Sequence, residues 1–446
     1  MSTADTRSRR RGERGTVLVQ VAVALLALLA MAALVFDYGV MWVSRAQSQN
    51  AADAGALAGA ISLAFDSDTD FNGARAKAIA VAQQNRVWTS VPDITNADVT
   101  FPACPPGAPG VPDTCVKVDV FRTTLNRLNG NPLPTYFSRL VGINEQGARA
   151  TATAQIVTGD TTDCLKPWAI IDRWDEYDTA TNGAESEYPN PDPDFRYDST
   201  FDRYSTGRGG APPQEPDLYV RPGPGVIGTG FRLPIDEGRQ FAIKVDTNTN
   251  STVSPGWFRA IRLPRLDGQT GGNVYRNNIM SCGGLPASYA DPATVCPASI
   301  TNGNRAYWAE RGCFETEPGN MVGPTDQGVD ALVARDPGAS WSGGQIVGSL
   351  FSPATSSPRV VPIGVMDIDW FLSQNPSGSN GVIRLVNIYG FFVEGMGDIN
   401  PATGAMTLSA NGNNVIGRIM TIPSMARGSS SLPVSASFLR TIILVR

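Results

Sequence analysis

Residue types that carry out catalysis are scarce in this chain of 446 residues, which contains no histidine. Histidine is the commonest general base and metal ligand, and it belongs to every Ser-His and Cys-His dyad. Its absence argues against most hydrolases and metalloenzymes. The sequence also has no P-loop and no nucleophile elbow. We therefore predict no catalytic residue, no metal site, no cofactor and no small-molecule substrate.

Paired carboxylates are a catalytic arrangement that needs no histidine, and glycoside hydrolases use it. The acidic residues that could supply such a pair are Asp172, Asp175, Glu176, Asp367 and Asp369. An exported carbohydrate-active enzyme therefore stays open as an alternative. The interval 172–202 is acidic and interleaved with aromatic residues, a pattern typical of a solvated surface loop and also of loops that bind calcium or sugars.

Cysteine is the other residue type with chemistry of its own here. The six cysteines are Cys104, Cys115, Cys164, Cys282, Cys296 and Cys313. None lies in a C-x-x-C arrangement and no histidine can complete a zinc site, so we predict disulfides, with buried free thiols as the alternative. Cys104 and Cys115 bracket a Pro/Gly loop and form the expected local pair. Cys282 and Cys296 flank a similar interval. Cys164 and Cys313 are then paired by elimination, although spacing alone leaves fifteen pairings open.

The N-terminus has the pattern of a membrane anchor. Residues 1–15 carry five arginines and two acidic residues, and residues 16–36 form a run of 21 residues without charge. As a helix that run spans about 31 Å, which matches a hydrocarbon core of about 30 Å. The arginines and Asp37 flank it on opposite sides, so the positive-inside rule predicts a cytoplasmic N-terminus and an extracytoplasmic bulk. A cleaved secretory signal is the alternative.

The net charge of −5 argues against nucleic acid as a partner. We predict an α+β chain whose transmembrane helix extends into a small, pilin-like α+β domain over 37–158. The helix continues to about residue 65, and the small residues Gly55 and Gly59 lie four positions apart, spacing that permits close helix packing. The other elements expected in this domain are a helix over 72–86, strands over 115–121 and 148–157, and a short helix over 135–143.

Residues 159–446 are predicted to form a mainly antiparallel β domain with long loops. Apolar β-rich runs predict strands over 359–368, 382–393, 415–422 and 438–445. Several of these runs are apolar on both faces, which is typical of central strands. Thr325 is expected to cap a short helix on which Val329, Leu332 and Val333 are buried.

Three stretches resemble a known family: residues 10–15, residues 37–39 and the polar-then-alanine helix at 47–60. They are similar to the N-terminal TadE/TadG-like region of TadG-like proteins from tight-adherence (Flp) pilus assembly systems. The resemblance covers about residues 10–65. Segments 164–170 and 319–325 are similar to segments of larger proteins in this group. The resemblance implies an anchored accessory or structural component, located in the inner membrane, whose partners are other pilus-assembly or secretion proteins.

A related alternative concerns the residues just before the apolar run. Gly15 and the apolar residues after it resemble a type IV prepilin junction, at which a peptidase cuts after the glycine. A glutamate is expected at the fifth mature position, where this chain has Gln20. A minor pseudopilin processed at Gly15 therefore remains an alternative.

Overall fold

The chain divides into two compact units in a computed structural model. Unit 1 comprises residues 1–103, 112–155 and 442–446, and unit 2 comprises 104–111 and 156–441. The residues that the structure describes are 7–66, 71–104, 115–125, 130–173, 177–178, 183–184, 197–198, 219–244, 252–253, 258–291, 293–319, 321–367, 370, 381–399, 405–425 and 432–445.

Helix α1 is a continuous helix, Arg7–Phe65, that contains the whole apolar run and the outer extension predicted to follow it. In the described parts of the chain it is the one helix that is long and apolar enough to cross a membrane. Its large apolar side chains between Val17 and Phe36 are exposed. From Asp37 onward, one side of α1 is buried by unit 1.

The remainder of unit 1 contains a second helix and strands of two separate sheets. Helix α2, Asn72–Gln84, packs on the outer part of α1 through Ala74, Ala78 and Ala82. The strands are β1 Val99–Thr100, β2 Cys115–Arg122, β3 Leu133–Pro134, β4 Glu145–Gln146 and β5 Ala148–Thr158. Strand β2 pairs antiparallel with β1 and β5. The alternating burial predicted for these strands is present along β2 and the first half of β5.

The helix predicted over 135–143 is shorter than expected. Only a 3₁₀ helix, Ser138–Val141, forms there, and Gly142 ends it with a φ of 87°. A positive φ is easily adopted by glycine, so the sequence stops the turn at this residue. The hydrophobic spacing of the segment indicated a helical turn but could not set its length.

Unit 2 contains most of the strands. They are β6 Thr161–Thr162, β7 Trp168–Ile171, β8 Tyr177–Asp178, β9 Gly183–Ala184, β10 Tyr197–Asp198, β11 Gln240–Lys244, β12 Thr252–Val253, β13 Phe258–Ala260, β14 Ala287–Ser288, β15 Cys313–Glu315, β16 Ser340–Ser342, β17 Gln345–Val347, β18 Val360–Met366, β19 Val382–Ile399, β20 Met406–Leu408, β21 Asn414–Met420, β22 Ile422–Pro423 and β23 Leu439–Val445, which ends in unit 1. The helices are α3 Gly272–Met280, α4 Arg305–Ala309 and α5 Val322–Val333.

The main sheet of unit 2 has eight strands. Its central path runs in the order β11-β21-β19-β18-β7-β13, and β15 and β20 also pair with β19. Every pairing is antiparallel except that of β18 with β7. The mixed α+β class with antiparallel sheets, predicted from the sequence, is therefore confirmed.

The central strands are buried on both faces, as their uninterrupted apolar runs predicted. On β19, Ile388 and Phe392 belong to one hydrophobic cluster, while Tyr389 and Phe391 belong to another. Helices α3 and α5 contribute side chains to the second cluster. Because a strand alternates its side chains between faces, apolar residues at every position indicate cover on both sides.

The capping role predicted for Thr325 is wrong. Helix α5 begins three residues earlier, at Val322, after Met321 in a left-handed conformation. Thr325 lies inside the first turn, where its hydroxyl donates to the carbonyl of Met321 at 2.7 Å. Val329 and Leu332 are buried, as predicted for this helix, and Val333 packs against them partly exposed.

Candidate functional site after the apolar run

Asp37, the first residue after the apolar run, binds the loop that follows β3. Its carboxylate accepts hydrogen bonds from the backbone N–H groups of Tyr136 (2.8 Å), Phe137 (3.1 Å) and Ser138 (2.6 Å). The hydroxyl of Ser138 donates to the same carboxylate at 2.6 Å. The loop is thereby held at the level of Phe36, the last residue of the apolar run, and the rings of Phe36 and Phe137 lie 5.7 Å apart.

These hydrogen bonds favour the ionised carboxylate. The Ser138 hydroxyl makes the largest contribution, and together with the three backbone N–H groups it lowers the pKa of Asp37 to about 2, against an opposing effect of burial. The pKa in the unfolded chain is higher, about 3.9. The contribution of Asp37 to stability is therefore present above about pH 4 and is lost as the pH falls through about 2.

We expect Asp37→Asn to loosen this loop at neutral pH. An asparagine side chain presents one acceptor oxygen and an NH₂ group that cannot accept from the loop. Amide hydrogen exchange of Tyr136, Phe137 and Ser138 should accelerate about tenfold or more. Asp53→Asn is the matched control on the same helix, because Asp53 accepts from the side chain of Gln49 one turn away. Equal exchange in wild type and Asp37→Asn would show that the carboxylate does not hold the loop.

Gly55 and Gly59 form a helix-packing site, and its partner is part of the same unit. A Cβ on Gly55 would lie 2.9 Å from the Cβ of Ala82, and a Cβ on Gly59 would lie 2.9 Å from Cγ1 of Val116. Helix α2 and strand β2 therefore pack against α1 where its glycines allow close approach. The spacing indicated close packing but did not identify what packs there.

A groove opens on another side of α1, immediately after the apolar run. It has a volume of about 490 Å³ and is lined by Tyr38, Trp42, Arg45 and Gln49 of α1 and by Arg149 of β5, among others. We call it the membrane-exit groove. The indole N–H of Trp42 donates to the hydroxyl of Tyr38 at 3.1 Å. Sequence reasoning missed this groove, although the positions on α1 follow helical spacing.

The disulfide pairing predicted by elimination is wrong for two of the three bridges. Cys164 bonds Cys282 with Cα atoms 4.7 Å apart, and Cys296 bonds Cys313 with Cα atoms 5.7 Å apart. Cys104 and Cys115 are also disulfide-bonded, so the local bridge accounts for the remaining two cysteines. Pairing Cys282 with Cys296 followed sequence proximity, whereas the fold brings Cys282 beside the start of β7.

Of the five acidic candidates, the structure describes Asp172 and Asp367, which directly follow the register partners Ile171 of β7 and Met366 of β18. Asp172 is fully buried and accepts hydrogen bonds from the Tyr389 hydroxyl at 2.8 Å and from the backbone of Arg173 at 2.9 Å. Burial raises the pKa of Asp172 to about 6, against the effect of these hydrogen bonds. Asp367 is buried in an ion pair with Arg384.

The other acidic candidates, Asp175, Glu176 and Asp369, lie outside the described residues, as does most of the interval 172–202. Among the side chains that the structure describes, no group of three or more His, Cys, Asp or Glu residues is placed to hold a metal ion.

The two downstream segments singled out by resemblance, 164–170 and 319–325, meet through a buried hydrogen-bonded chain. The indole N–H of Trp168 donates to the Tyr275 hydroxyl at 2.9 Å. The Tyr275 hydroxyl lies 3.0 Å from the hydroxyl of Thr325, and Thr325 in turn donates to a main-chain carbonyl. Burial raises the pKa of Tyr275, which keeps its proton available for this chain. The segments therefore join β7, α3 and α5.

Lys166, within the first of these segments, binds the end of α3. Its buried ammonium donates to the carbonyls of Asn278 and Ser281, both at 3.2 Å. Burial, followed by the nearby charge of Arg335, lowers the pKa of Lys166 to about 7. Lysine at a helix C-terminus satisfies carbonyls that lack intrahelical partners. The contacts favour a structural role for this residue.

A search of curated proteins and a search of solved structures each find no match to this chain. A scan against protein families does find one, and it covers most of α1, including the membrane-exit residues and both packing glycines. Residues 15–62 match the family described as putative Flp pilus-assembly TadE/G-like, which confirms the resemblance of this N-terminal region to that family.

Proposed function

We propose that this protein is a membrane-anchored, extracytoplasmic accessory or structural component of Flp/Tad pilus assembly. It acts by anchoring and by contacts with other pilus-assembly or secretion proteins. The observation that carries the proposal is the family match over residues 15–62, because the same residues form the apolar run and the helix that unit 1 packs around.

The proposed orientation places residues 1–15 in the cytoplasm and residues 16–36 across the inner membrane. Arginines precede the apolar run and Asp37 follows it, which supports this direction of insertion. All six cysteines are disulfide-bonded, and disulfides persist in oxidising compartments outside the cytoplasm. Both observations favour export of everything beyond Asp37.

A non-catalytic role fits the contacts of the described carboxylates. Asp172 hydrogen-bonds Tyr389 inside the core of unit 2, and Asp367 is neutralised by Arg384. A glycoside hydrolase needs two carboxyl groups separated across an open cleft, about 5–10 Å apart depending on mechanism. A fully buried carboxyl such as Asp172 has no access to a polymeric sugar.

The first test concerns topology. A reporter that is active only outside the cytoplasm should be active when fused after residue 160, and the intact chain should fractionate with membranes. Leu25→Arg should reduce insertion, because a charge at the centre of a membrane helix costs about 2.5–3.5 kcal/mol on insertion scales. Val43→Arg is the control, since Val43 lies on the same helix beyond the apolar run. Release of a soluble chain lacking its apolar run would contradict the anchor and favour a cleaved signal.

The second test concerns the biological role. Deleting the gene from a piliated strain should abolish Flp pili on the surface, and the full chain should restore them. A chain whose apolar run is replaced by a cleavable secretory signal should be exported but should fail to restore pili. Normal piliation without the protein would refute the proposed function. The N-terminal mass of the mature protein separates the minor-pseudopilin alternative, which requires cleavage after Gly15.

A further inference from the structure

We infer that the membrane-exit groove binds the anionic headgroup of a phospholipid from the leaflet in which α1 leaves the membrane. The inference rests on the membrane anchoring that is part of the proposed function, and it adds a ligand that the family match does not supply. It depends on the height of the groove above the bilayer, on its charge and on its aromatic lining.

The height of the groove follows from helix geometry. Trp42 and Arg45 lie six and nine residues beyond Phe36, which is about 9 Å and 14 Å along the helix axis. Side chains on a helix point back toward its N-terminus and cover the preceding turn. The Arg45 guanidinium is therefore directed toward the bilayer, about one turn below its own Cα. The headgroup layer extends about 5–7 Å beyond the hydrocarbon core, within reach of this group.

The Asp37 hydrogen bonds provide a second measure of height. They hold Tyr136 and its neighbours beside the end of the apolar run. Tyr136 is 53% exposed and Ile143, at the other end of this loop, is 54% exposed. Two large apolar side chains exposed at this level are compatible with contact with lipid. The surface of unit 1 that carries Tyr136 and Ile143 therefore faces the membrane, and the groove opens beside this surface.

The charge of the groove suits an anionic headgroup. Arg45 is exposed and makes no hydrogen bond or ion pair with the described residues of the chain. Arg149 contributes a second guanidinium, held 3.0 Å from Asp119 and 5.0 Å above the ring of Phe121. The Arg45 guanidinium has no such partner among the described residues, and it is therefore the group that is available to bind phosphate. The planar donors of a guanidinium match the phosphate oxygens.

The aromatic residues of the groove suit the lipid rather than free phosphate. Tyr38 and Trp42 are 55% and 65% exposed and lie on the same side of α1 as Arg45. Tyrosine and tryptophan are enriched where one end of the ring meets apolar chains and the other meets headgroups. A volume of about 490 Å³ admits a glycerophosphate headgroup. Free phosphate would make no use of the aromatic walls.

The test measures lipid binding by the purified full-length protein in neutral detergent. Short-chain phosphatidylglycerol and short-chain phosphatidylcholine are titrated separately, and bound lipid is counted by native mass spectrometry. We expect phosphatidylglycerol to bind at least about fivefold more tightly, and Arg45→Gln to remove this preference. Arg45→Lys should retain most of it. Lys77→Gln is the matched control, because Lys77 adjoins Ala78, which packs on the Gly55–Gly59 region about 30 Å beyond the apolar run.

Three results would overturn the inference. They are equal affinity for the two lipids, an unchanged preference in Arg45→Gln, and displacement of the lipid by inorganic phosphate at equal concentration, which would assign the site to a free anion.

Arg45 is exposed and has no partner among the described residues, so Arg45→Gln should leave hydrogen exchange in α2 unchanged. Binding in detergent does not depend on orientation in the membrane, whereas the reporter fusion tests orientation alone. Failure of the lipid site and failure of the proposed function are thus distinguishable.

Discussion

Gly59→Leu should destabilise unit 1 by about 3 kcal/mol, the upper part of the range for overpacking a core. The first added atom would lie 2.9 Å from Cγ1 of Val116 and 3.1 Å from the Cβ of Ala78, and the backbone carbonyl of Ala74 is 3.3 Å away. The remaining three carbons of leucine have no space, because α2 and β2 occupy it. Helix and strand must separate to admit the side chain.

The measurement is hydrogen exchange of the α2 amides in the full chain, which reports the opening of unit 1 by itself. A loss of about 3 kcal/mol corresponds to exchange roughly a hundredfold faster. Gly39→Leu is the matched control: the same substitution on the same helix, at a position where an added Cβ meets nothing within 4 Å. It should leave α2 exchange unchanged or slower, since leucine favours helix by somewhat under 1 kcal/mol over glycine.

Exchange in Gly59→Leu that equals wild type would show that α2 does not pack against this part of α1. The variant also informs the functional proposal. If piliation fails only in variants whose α2 exchange is accelerated, the glycines act through the fold of unit 1. Loss of pili with normal exchange would instead assign them a partner outside the chain.

Removing the Cys164–Cys282 bridge should cost unit 2 more stability than removing Cys296–Cys313. The two bridges join residues separated by 118 and 17 positions. In the chain-entropy model these separations correspond to about 5 kcal/mol and about 3 kcal/mol. The longer bridge also lies beside Lys166, whose ammonium binds the end of α3. Removing this bridge therefore loosens native packing and also increases the entropy of the unfolded chain.

The comparison uses two double variants, Cys164→Ser with Cys282→Ser and Cys296→Ser with Cys313→Ser. Stability is followed by hydrogen exchange in β18 and β19, the central strands of the unit. The first variant should exchange roughly tenfold or more faster than the second in these strands. Equal losses would contradict the entropic argument. Peptide mapping without reduction checks the connectivity, and a Cys282–Cys296 peptide would contradict the structure.

Patterns of local spacing were sufficient for several features of this chain. The uncharged run at 16–36 predicted a helix of membrane length because helix rise and bilayer thickness are both constants. The alternation along β2 and the uninterrupted apolar runs of β18 and β19 predicted strands and their burial, since side chains of a strand alternate between two faces. The absence of proline and abundance of alanine between residues 38 and 65 predicted the continuation of α1.

Contacts between residues distant in the sequence could not be predicted in this way. From the sequence, Asp37 was interpreted only as the acidic residue that follows the apolar run and indicates its orientation. The fold shows that it binds a loop about one hundred residues later. The same limit explains the misassigned bridges, because Cys164 and Cys282 meet although 118 positions separate them in the sequence. Helical spacing places the α1 residues of the membrane-exit groove on one side of the helix. The other wall of the groove includes Arg149 of β5, which only the tertiary structure brings there.

The sequence by itself therefore determined the membrane-length helix, its small-residue surface, the strand patterns and the family resemblance of residues 15–62. These follow from short-range periodicity, which a single chain displays directly. The tertiary structure decided what covers Gly55 and Gly59, which cysteines meet and where Asp37 finds its donors. Such pairings depend on how whole elements dock, and docking is selected by the total burial and hydrogen bonding of the fold rather than by the spacing of the residues that come into contact.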